Sequence, residues 1–390
     1  MNDFDRDENL GLIRVVICRS NPIDPDPRVE KTARALIKVG YKVIIIAWDR
    51  TSELPIESQV GDISLIRLPI RAEFGHGLQN LPNLLRWQWG LLWWLINNRD
   101  SYDVIHACDF DTVIPAILVK KLWGKCLVYD IFDFYADHLR ATPDSLKKIV
   151  RAVDIKSISN VDALILADDS RWEQIKGAHP IRSVVIYNSP EDVKNEFSGG
   201  ELSRNKNEIH LSYVGLLQVE RGLLKILEVM KSHTNWFLNL AGFGGDQEQI
   251  LAIAKELPNV KFHGRVSYEQ ALRLNSSADV LIATYDPEIP NHKYSSPNKV
   301  FEAMMLGKPI IVANNTNMDR IVTQSDCGIT VDYGDKEALV LCLMKLQQDI
   351  DLRINLGINA RKAYENKYSW ANMETRLENL YGEITAVLKI

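Results

Sequence analysis

The chain has 390 residues, of which 46% are hydrophobic and 25% are charged, the balance of a folded globular protein and not of a disordered or fibrous one. This length predicts two domains, because it exceeds what one ordinary hydrophobic core organises. The formal net charge of −5 argues against a protein that coats nucleic acid, since contact with many phosphates requires a basic excess.

The amino terminus, the apolar runs and the cysteines together favour a cytoplasmic protein. Met1–Asn9 is acidic and polar, unlike a secretory or transit peptide. The longest uninterrupted apolar run, Trp89–Ile96, is far shorter than the roughly 20 residues of a membrane-spanning helix. The five cysteines are scattered and form no C-x-x-C pair, which predicts buried, reduced thiols and no zinc site.

The first half of the chain alternates short apolar runs with helical patterns. Leu12–Cys18 and Val43–Ala47 predict strands, and the apolar spacing of Arg28–Val39 predicts a helix between them. Further predicted strands are Ile63–Leu68, Val104–Ala107, Cys126–Tyr129, Ala163–Ala167 and Val184–Tyr187. This alternation predicts a parallel sheet covered by helices.

The same pattern restarts in the second half, after a polar stretch at Ser189–Asn207 that we interpret as an interdomain linker. The predicted strands there are Ile209–Val214, Phe237–Ala241, Val260–His263, Val280–Ala283, Ile310–Val312 and Ile329–Val331. The sequence therefore predicts a second parallel α/β domain.

Two loops that follow predicted strands carry candidate anion-binding groups. The first passes through Gly215 to Arg221, at the strand end where open parallel sheets bind ligands and a cation can meet a phosphate. The alternative is a solvated arginine at a helix start. The second loop contains Gly242 and Gly244, which can admit a base or a pyrophosphate, although glycine pairs are common in such turns.

The most informative segment is a predicted helix start in the second half. Ser296 fits the N-cap and Pro297 fits the first helical position, so the N–H groups of Asn298 and Lys299 face an anion at the positive helix end. Glu302 lies on the same helix face, where its carboxylate can accept both hydroxyls of a ribose. A solvent-exposed helical glutamate is the alternative.

These motifs together resemble glycosyltransferase family 4, whose members are retaining enzymes with the GT-B fold. The resemblance rests on Cys18–Pro22, Asp103–Ala107, Phe301–Met304 and Tyr368–Trp370 as well as the loops above. It implies an α/β protein of two Rossmann-like domains that face each other across a cleft. The implied parts are an acceptor-binding domain over residues 1–190, a donor-binding domain over 191–370, and a C-terminal helix over 371–390 that packs back towards the first domain.

By position, Arg221 resembles the family's pyrophosphate-binding basic residue, and Glu302 resembles the second glutamate of its E-x7-E pair. Three positions depart from the family. Leu216 replaces the usual Arg or Lys, Tyr294 replaces the first glutamate, and Phe132 replaces the active-site histidine.

We expect Lys299 to supply the charge that Leu216 lacks, and we add Arg265 and Tyr294 to the expected donor contacts. The resemblance implies transfer on one face of the sugar without a metal ion or a bound cofactor, the leaving phosphate taking the acceptor proton. Loss of the histidine need not abolish such a reaction.

In the first half, several polar residues follow predicted strands or begin a helix. Arg28 starts a helix after a proline-rich loop and is expected to meet a donor or acceptor phosphate, a simple surface arginine being the alternative. His106, Asp109 and Asp133 are expected to line the acceptor side with Asp130 and to take part in catalysis. A structural role for the histidine is the alternative.

A tryptophan-rich segment, Leu81–Ile96, predicts either a core helix or a helix at a lipid interface. Its tryptophans are Trp87, Trp89, Trp93 and Trp94, and a later basic helical face comprises Lys147, Lys148, Arg151 and Lys156. Tryptophan beside basic residues is typical of contact with anionic lipid. A lipid-linked acceptor at the inner face of the cell membrane would account for both features.

The main hypothesis is transfer of a hexose or N-acetylhexosamine from a nucleotide-diphosphate sugar to a glycan or lipid-linked acceptor in cell-envelope polysaccharide synthesis. One rival is a nucleotide-sugar epimerase, which requires acid and base groups that the sequence does not display. The other rival is a degenerate glycosyltransferase that binds a nucleotide sugar or a partner without turnover, which the three departures leave open.

Overall fold

The computed structural model describes residues 12–73, 80–139, 142–197, 207–294 and 297–386. The chain divides into two compact units, one of Met1–Tyr187 with Glu374–Ile390 and the other of Asn188–Met373. The interpretation of Met1–Asn9 lies outside the described residues. Each unit is built on its own sheet.

The first unit contains an eight-stranded sheet in the order β3-β4-β2-β1-β5-β6-β7-β8. Its strands are β1 (Arg14–Arg19), β2 (Lys42–Asp49), β3 (Glu57–Val60), β4 (Ile63–Pro69), β5 (Val104–Cys108), β6 (Cys126–Ile131), β7 (Ala163–Leu166) and β8 (Ser183–Val185). Its helices in chain order are α1 (Pro27–Lys38), α2 (Leu81–Asn97), α3 (Phe110–Trp123), α4 (Tyr135–His138), α5 (Asp144–Ile158) and α6 (Arg171–Gln174). All neighbouring strands are parallel except β3 and β4.

The second unit contains a six-stranded parallel sheet in the order β11-β10-β9-β12-β13-β14. Its strands are β9 (Ile209–Leu216), β10 (Trp236–Phe243), β11 (Val260–Phe262), β12 (Val280–Ala283), β13 (Ile310–Ala313) and β14 (Gly328–Val331). The helices that follow in the chain are α7 (Leu223–Ser232), α8 (Gln247–Ala254), α9 (Tyr268–Ser277), α10 (Pro290–Lys293), α11 (Asn298–Leu306), α12 (Met318–Gln324), α13 (Lys336–Gln348), α14 (Ile350–Ala363) and α15 (Trp370–Thr385). The part of α15 from Glu374 onward belongs to the first unit.

Every strand that the apolar runs predicted is present, because strands covered by helices on both faces must be apolar along their whole length. The edge strand β3 was missed, since its sequence Glu-Ser-Gln-Val is polar and half exposed. A two-residue Gly61–Asp62 turn joins it to β4, with Val60 opposite Ile63. That turn is the hairpin pattern that predicts such a strand.

The predicted linker Ser189–Asn207 is in part structured. Ser189 is fully buried, and Phe197 is buried with its carbonyl accepting a hydrogen bond from Ser276 Oγ at 2.8 Å, within the second unit. Residues 198–206 lie outside the described ranges. The polar composition therefore did not separate an interdomain linker from the packed start of the second unit.

The tryptophans of α2 differ in burial, so the core interpretation is confirmed for Trp87 and the lipid-interface interpretation stays a prediction for the others. Trp87 is fully buried and stacks on Trp48, with ring centroids 5.4 Å apart. Trp89 and Trp93 are 68% and 60% exposed. The helix therefore fixes itself to the core by one face and presents two tryptophans on another.

The prediction for the cysteines is confirmed as far as burial and pairing go. All five are buried and none forms a disulfide. Among the described residues, no helix has both the length and the hydropathy that crossing a bilayer requires.

Candidate donor and acceptor sites

Three elements of the second unit converge on Tyr285 at the carboxyl-terminal edge of its sheet. Tyr285 follows β12, Arg221 ends the turn after β9, and Lys299 lies in the first turn of α11. The Lys299 ammonium donates a hydrogen bond to Tyr285 Oη at 3.2 Å. The Arg221 guanidinium carbon lies 3.9 Å from the centroid of the same ring. The two cations that the sequence singled out therefore share one buried aromatic neighbour.

The phenols around Lys299 stabilise its charged form. Its ammonium also lies 4.7 Å from the ring centroid of Tyr213. Burial favours the neutral amine, but the phenols of Tyr285 and Tyr213 outweigh it and raise the pKa of Lys299. Burial likewise opposes ionisation of Tyr285, yet the positive charges of Lys299 and Arg221 hold its pKa below the usual value. The protein thus keeps two positive charges at this edge.

Gly215 creates the space that Lys299 occupies. A Cβ atom on Gly215 would lie 2.3 Å from Lys299 Nζ, far inside van der Waals contact. Leu216, the residue at the family's basic position, is exposed. Lys299 therefore brings its charge to the loop where a basic side chain was expected, and its compensation for Leu216 stays a prediction.

The glycines of the second loop serve close packing of backbone segments. A Cβ on Gly242, which has φ of 141°, would lie 1.7 Å from the carbonyl oxygen of Gly215. A Cβ on Gly244 would lie 2.8 Å from the carbonyl oxygen of Leu217. These contacts account for both glycines without a ligand, and their expected role towards a base or pyrophosphate stays a prediction.

The helix start after Tyr294 differs from the prediction by one residue. Pro297 has extended backbone angles, φ −70° and ψ 146°, so it is the N-cap and α11 begins at Asn298. The prediction that Pro297 occupies the first helical position is therefore wrong. The predicted N-cap, Ser296, lies outside the described residues. Asn298 and Lys299 remain in the first turn, where backbone N–H groups lack intrahelical acceptors.

Glu302 is buried, contrary to the alternative of a solvent-exposed helical glutamate. Its Oε2 accepts a hydrogen bond from Asn275 Nδ2 at 3.4 Å. Asn275 is held in turn by Ser212, whose hydroxyl donates to Asn275 Oδ1 at 2.8 Å. This buried chain from β9 through α9 to α11 fixes the orientation of the carboxylate.

Two further expected donor contacts lie at loop positions of the second unit. The Arg265 guanidinium carbon lies 4.6 Å from the ring centroid of Phe243, which ends β10. Tyr294 is partly exposed, and the Lys293 ammonium lies 5.6 Å from its ring centroid. Neither contact tests a role in donor binding.

In the first unit, Phe132 lies between two arginines. The guanidinium carbons of Arg19 and Arg28 lie 4.3 Å and 4.4 Å from its ring centroid. Arg19 pairs with Asp26 at 3.0 Å and with Asp109 at a shorter separation. The position of the family's histidine is thus filled by an aromatic ring that two cations cover.

Arg28 and His106 are parts of a buried network, which corrects their expected roles towards substrates. Arg28 donates to Asp130 and to the carbonyl of Ile186, both at 2.9 Å. His106 lies within β5, is fully buried, and its ring nitrogens are 2.7 Å from Tyr381 Oη and 3.4 Å from Asp130 Oδ2. Both side chains join elements of the first unit, where Arg28 is 5% exposed and His106 is fully buried.

Asp109 and Asp133 lie at the strand-end edge of the first sheet, as predicted. Asp109 has a positive φ of 66° and accepts a hydrogen bond from the backbone N–H of Phe132 at 2.9 Å. Burial raises the pKa of Asp109 despite the opposite charge of Arg19. Asp133 is partly exposed and accepts a hydrogen bond from Arg171 at 2.7 Å.

The sequence analysis gave no site role to Tyr285 or Arg19. Each follows or ends a predicted strand, at the same sheet edge as residues that were selected. Position at a strand end was the available indication for both.

Comparison with known proteins identifies the family. The model described as "Glycosyl transferase 4-like domain" matches residues 25–188, and that described as "Glycosyl transferases group 1" matches residues 195–363. The chain is 23% identical to the D-inositol 3-phosphate glycosyltransferase of Corynebacterium kroppenstedtii, over 95% of this chain and 89% of the relative.

Solved structures share the fold at low identity. Sucrose-phosphate synthase from Thermosynechococcus elongatus has a TM-score of 0.76 at 15% identity, over 96% of this chain and 100% of that chain. Anabaena HepE in complex with UDP-glucose has a TM-score of 0.69 at 14% identity, over 95% of this chain and 100% of that chain. The two family models together match most of the chain, which therefore belongs to glycosyltransferase family 4, and the solved structures show that it has the GT-B fold.

Proposed function

We propose that the protein transfers a hexose or N-acetylhexosamine, with anomeric retention, from a nucleotide-diphosphate sugar to a glycan or lipid-linked acceptor of cell-envelope polysaccharide synthesis. The observation that carries the donor class is the convergence of Arg221 and Lys299 on Tyr285 at the sheet edge. Two cations beside a helix start suit a diphosphate, which carries several charges within a few ångströms. The solved complex of HepE with UDP-glucose supports the same donor class.

In the proposed donor complex, Arg221, Lys299 and the first-turn N–H groups of α11 bind the diphosphate. Glu302, already oriented by Asn275, accepts hydrogen bonds from the ribose hydroxyls. The positive charges stabilise the phosphate as it leaves, which is where negative charge develops. The residues thus act on the leaving group and need not form a covalent intermediate.

The proposed step breaks the bond between the anomeric carbon and the phosphate oxygen and forms a bond from that carbon to the acceptor oxygen on the same face. The acceptor proton passes to the departing phosphate oxygen. This sequence uses no enzymic nucleophile, so phenylalanine at position 132 is compatible with turnover. Retention is testable by the anomeric coupling constant of the product, and an inverted product would overturn this step.

We propose that the reaction needs no metal ion, because Arg221 and Lys299 supply the charge that a divalent ion would otherwise provide. Turnover should be unchanged after dialysis against a chelator. A loss of turnover that Mg²⁺ or Mn²⁺ restores would contradict this part of the proposal.

We further propose that the acceptor is met at an anionic membrane surface. Exposed apolar residues of α2 recur every four residues, at Leu81, Leu85, Trp89 and Trp93, so they form one stripe. Helix α5 exposes Ile149 and Val153 beside the basic residues Lys148 and Lys156. Apolar residues with tryptophan insert at the interface, and lysines are attracted to anionic headgroups.

Co-sedimentation with phosphatidylglycerol vesicles tests this surface. Binding should fall when Trp89 and Trp93 are both changed to serine, and it should weaken with added salt. The matched control is Leu341→Ser, an exposed apolar residue on α13 of the other unit. Absence of binding by the wild type would overturn the membrane proposal and leave the donor proposal untouched.

Binding of a nucleotide sugar without turnover is the alternative function, which the Phe132 and Tyr294 departures leave open. Slow hydrolysis of the donor in the absence of acceptor separates the two, because a binding protein leaves the donor intact. Calorimetry with a panel of nucleotide sugars should identify a donor whose affinity falls in both Arg221→Ala and Glu302→Ala. Glu337→Ala, an exposed glutamate in the first turn of α13, is the control. Unchanged affinity in the two site variants would overturn the donor-site assignment.

A further inference from the structure

A polar hollow of about 510 Å³ opens in the first unit, beside the start of α2. It is lined by the segments that follow β2 and β4 and by the first turn of α2. The polar lining residues are Arg50, Thr51, Arg71, Glu73, Asn80 and Asn83. Its volume lies within the range of roughly 300–1,000 Å³ that is typical of small-molecule sites.

Arg50 is a fixed and largely desolvated cation in the wall of the hollow. Its guanidinium carbon lies 4.0 Å from the ring centroid of Trp48, and Nη2 donates to the carbonyl of Ser20 at 3.4 Å. Burial lowers the pKa of Arg50, and the attraction of Asp111 does not offset it. A bound anion would therefore gain more from this guanidinium than from an exposed one.

Asp49, which precedes Arg50 in the sequence, accepts hydrogen bonds within the local turn. Asp49 accepts hydrogen bonds from Thr51 Oγ1 at 2.8 Å, Thr51 N at 2.9 Å and Leu54 N at 3.0 Å. Burial would raise the pKa of Asp49, but the hydrogen bonds from Leu54 and Thr51 outweigh it and lower the pKa. Asp49 is thus an acceptor for the turn and does not line the hollow.

Arg71 brings a second guanidinium to the same hollow. A backbone hydrogen bond from Ala72 N to the carbonyl of Arg50, 3.0 Å long, ties the two arginine-bearing segments together. Arg71 is exposed, so its guanidinium group can change orientation. The two arginines exceed the one lining carboxylate, Glu73, and leave the lining with a formal excess of positive charge.

We propose that this hollow binds a phosphate group of the acceptor. A guanidinium group can donate two parallel hydrogen bonds to two phosphate oxygens. Two guanidinium groups therefore suit a doubly charged phosphate better than they suit a singly charged carboxylate. The amide of Asn83 adds a neutral donor in the first turn of α2. The assignment rests on the proposed function, which supplies an acceptor as the second substrate.

The test uses the full chain with its donor site saturated by UDP, so that added phosphate meets only other sites. Inorganic phosphate is then titrated by calorimetry into wild type, Arg71→Gln and Arg34→Gln. Arg34 is exposed on α1 of the same unit and serves as the matched control. We expect roughly tenfold weaker phosphate binding in Arg71→Gln and no change in Arg34→Gln. Equal affinity in all three proteins would overturn the proposal.

Two further arms distinguish the source of the phosphate. One measures binding of a soluble hexose phosphate, and the other measures binding to zwitterionic vesicles that carry a polyprenyl phosphate. A loss in Arg71→Gln in either arm supports the hollow as the phosphate site and names the source, whereas a loss in neither overturns it. Failure of wild type to bind any nucleoside diphosphate would instead count against the proposed function, and the phosphate titration would still report on the hollow.

Discussion

Positively charged side chains lie at the strand-end edges of both sheets, but the groups that contact them differ. In the first unit, Arg19 and Arg28 are matched by carboxylates of the same unit. In the second, Arg221 and Lys299 contact the ring and hydroxyl of Tyr285, and neither forms an ion pair with a carboxylate of the described residues. Paired cations hold a fold together, whereas cations against aromatic rings remain able to attract an anion from solution.

This difference explains why similar sequence patterns led to unequal predictions. Arg28 and Arg221 both follow a strand and precede or begin a helix. Arg28 has a structural role because it pairs with the buried Asp130. Sequence position alone does not reveal this pairing. The comparison therefore makes opposite predictions for the two arginines.

The largest expected effect is on stability, in the first unit. Arg28→Ala removes one partner of a buried pair and leaves Asp130 charged in the core, which should cost about 3–5 kcal/mol of unfolding free energy. Arg34→Ala, on the exposed face of the same helix, should change stability by at most about 0.5 kcal/mol. Urea denaturation measures both. Equal losses would contradict the structural role of Arg28.

The second effect is on ligand affinity, in the second unit. Arg221→Ala should weaken binding of a nucleoside diphosphate by roughly 30- to 100-fold, because a charge-assisted contact is lost. Its unfolding free energy should change little, since no carboxylate is left unpaired. Calorimetry and denaturation on the same sample separate the two quantities. A large loss of stability with intact affinity would make Arg221 resemble Arg28.

A pH effect is expected in the first unit from Asp111, which is buried near Arg19 and Arg50. Burial raises its pKa to about 6. Because the folded protein holds the proton more tightly than the unfolded chain, stability should decrease as the pH rises from about 4 through 6. Asp111→Asn should reduce this slope but not remove it, because burial also raises the pKa of Asp109 and of Asp154. The variant should be more stable than wild type at pH 7 by on the order of 2 kcal/mol. Asp144→Asn, at an exposed aspartate, is the control and should keep the slope.

The smallest effect concerns Tyr285 itself. Tyr285→Phe keeps the ring under Arg221 but removes the oxygen that accepts from Lys299. We expect nucleoside diphosphate affinity to fall by about fivefold, because the variant loses one hydrogen bond that orients the Lys299 ammonium. Tyr41→Phe, which removes a hydroxyl from the first unit, should leave affinity unchanged. A fall as large as that in Arg221→Ala would mean that Tyr285 contacts the ligand directly.

The sequence predicted the strands well because strands covered on both faces must be apolar throughout, as Val15–Ile17 and Ile310–Val312 are. It also predicted that Lys299 and Arg221 would lie at one sheet edge, since both follow strand ends or start a helix. It failed for His106, which lies inside the predicted strand Val104–Ala107 and whose ring contacts Tyr381 from the far end of the chain. Contacts over such separations leave no local pattern to detect.

The most direct test of the central claim is a calorimetric titration of wild type, Lys299→Ala and Lys293→Ala with a nucleoside diphosphate and the matching monophosphate. Lys293 lies on α10, where its ammonium is over the ring of Tyr294 and not beside Tyr285. We predict that Lys299→Ala weakens diphosphate binding at least about tenfold more than monophosphate binding, while Lys293→Ala behaves as wild type. Equal losses for the two nucleotides, or no loss in Lys299→Ala, would contradict a diphosphate site built on Arg221 and Lys299.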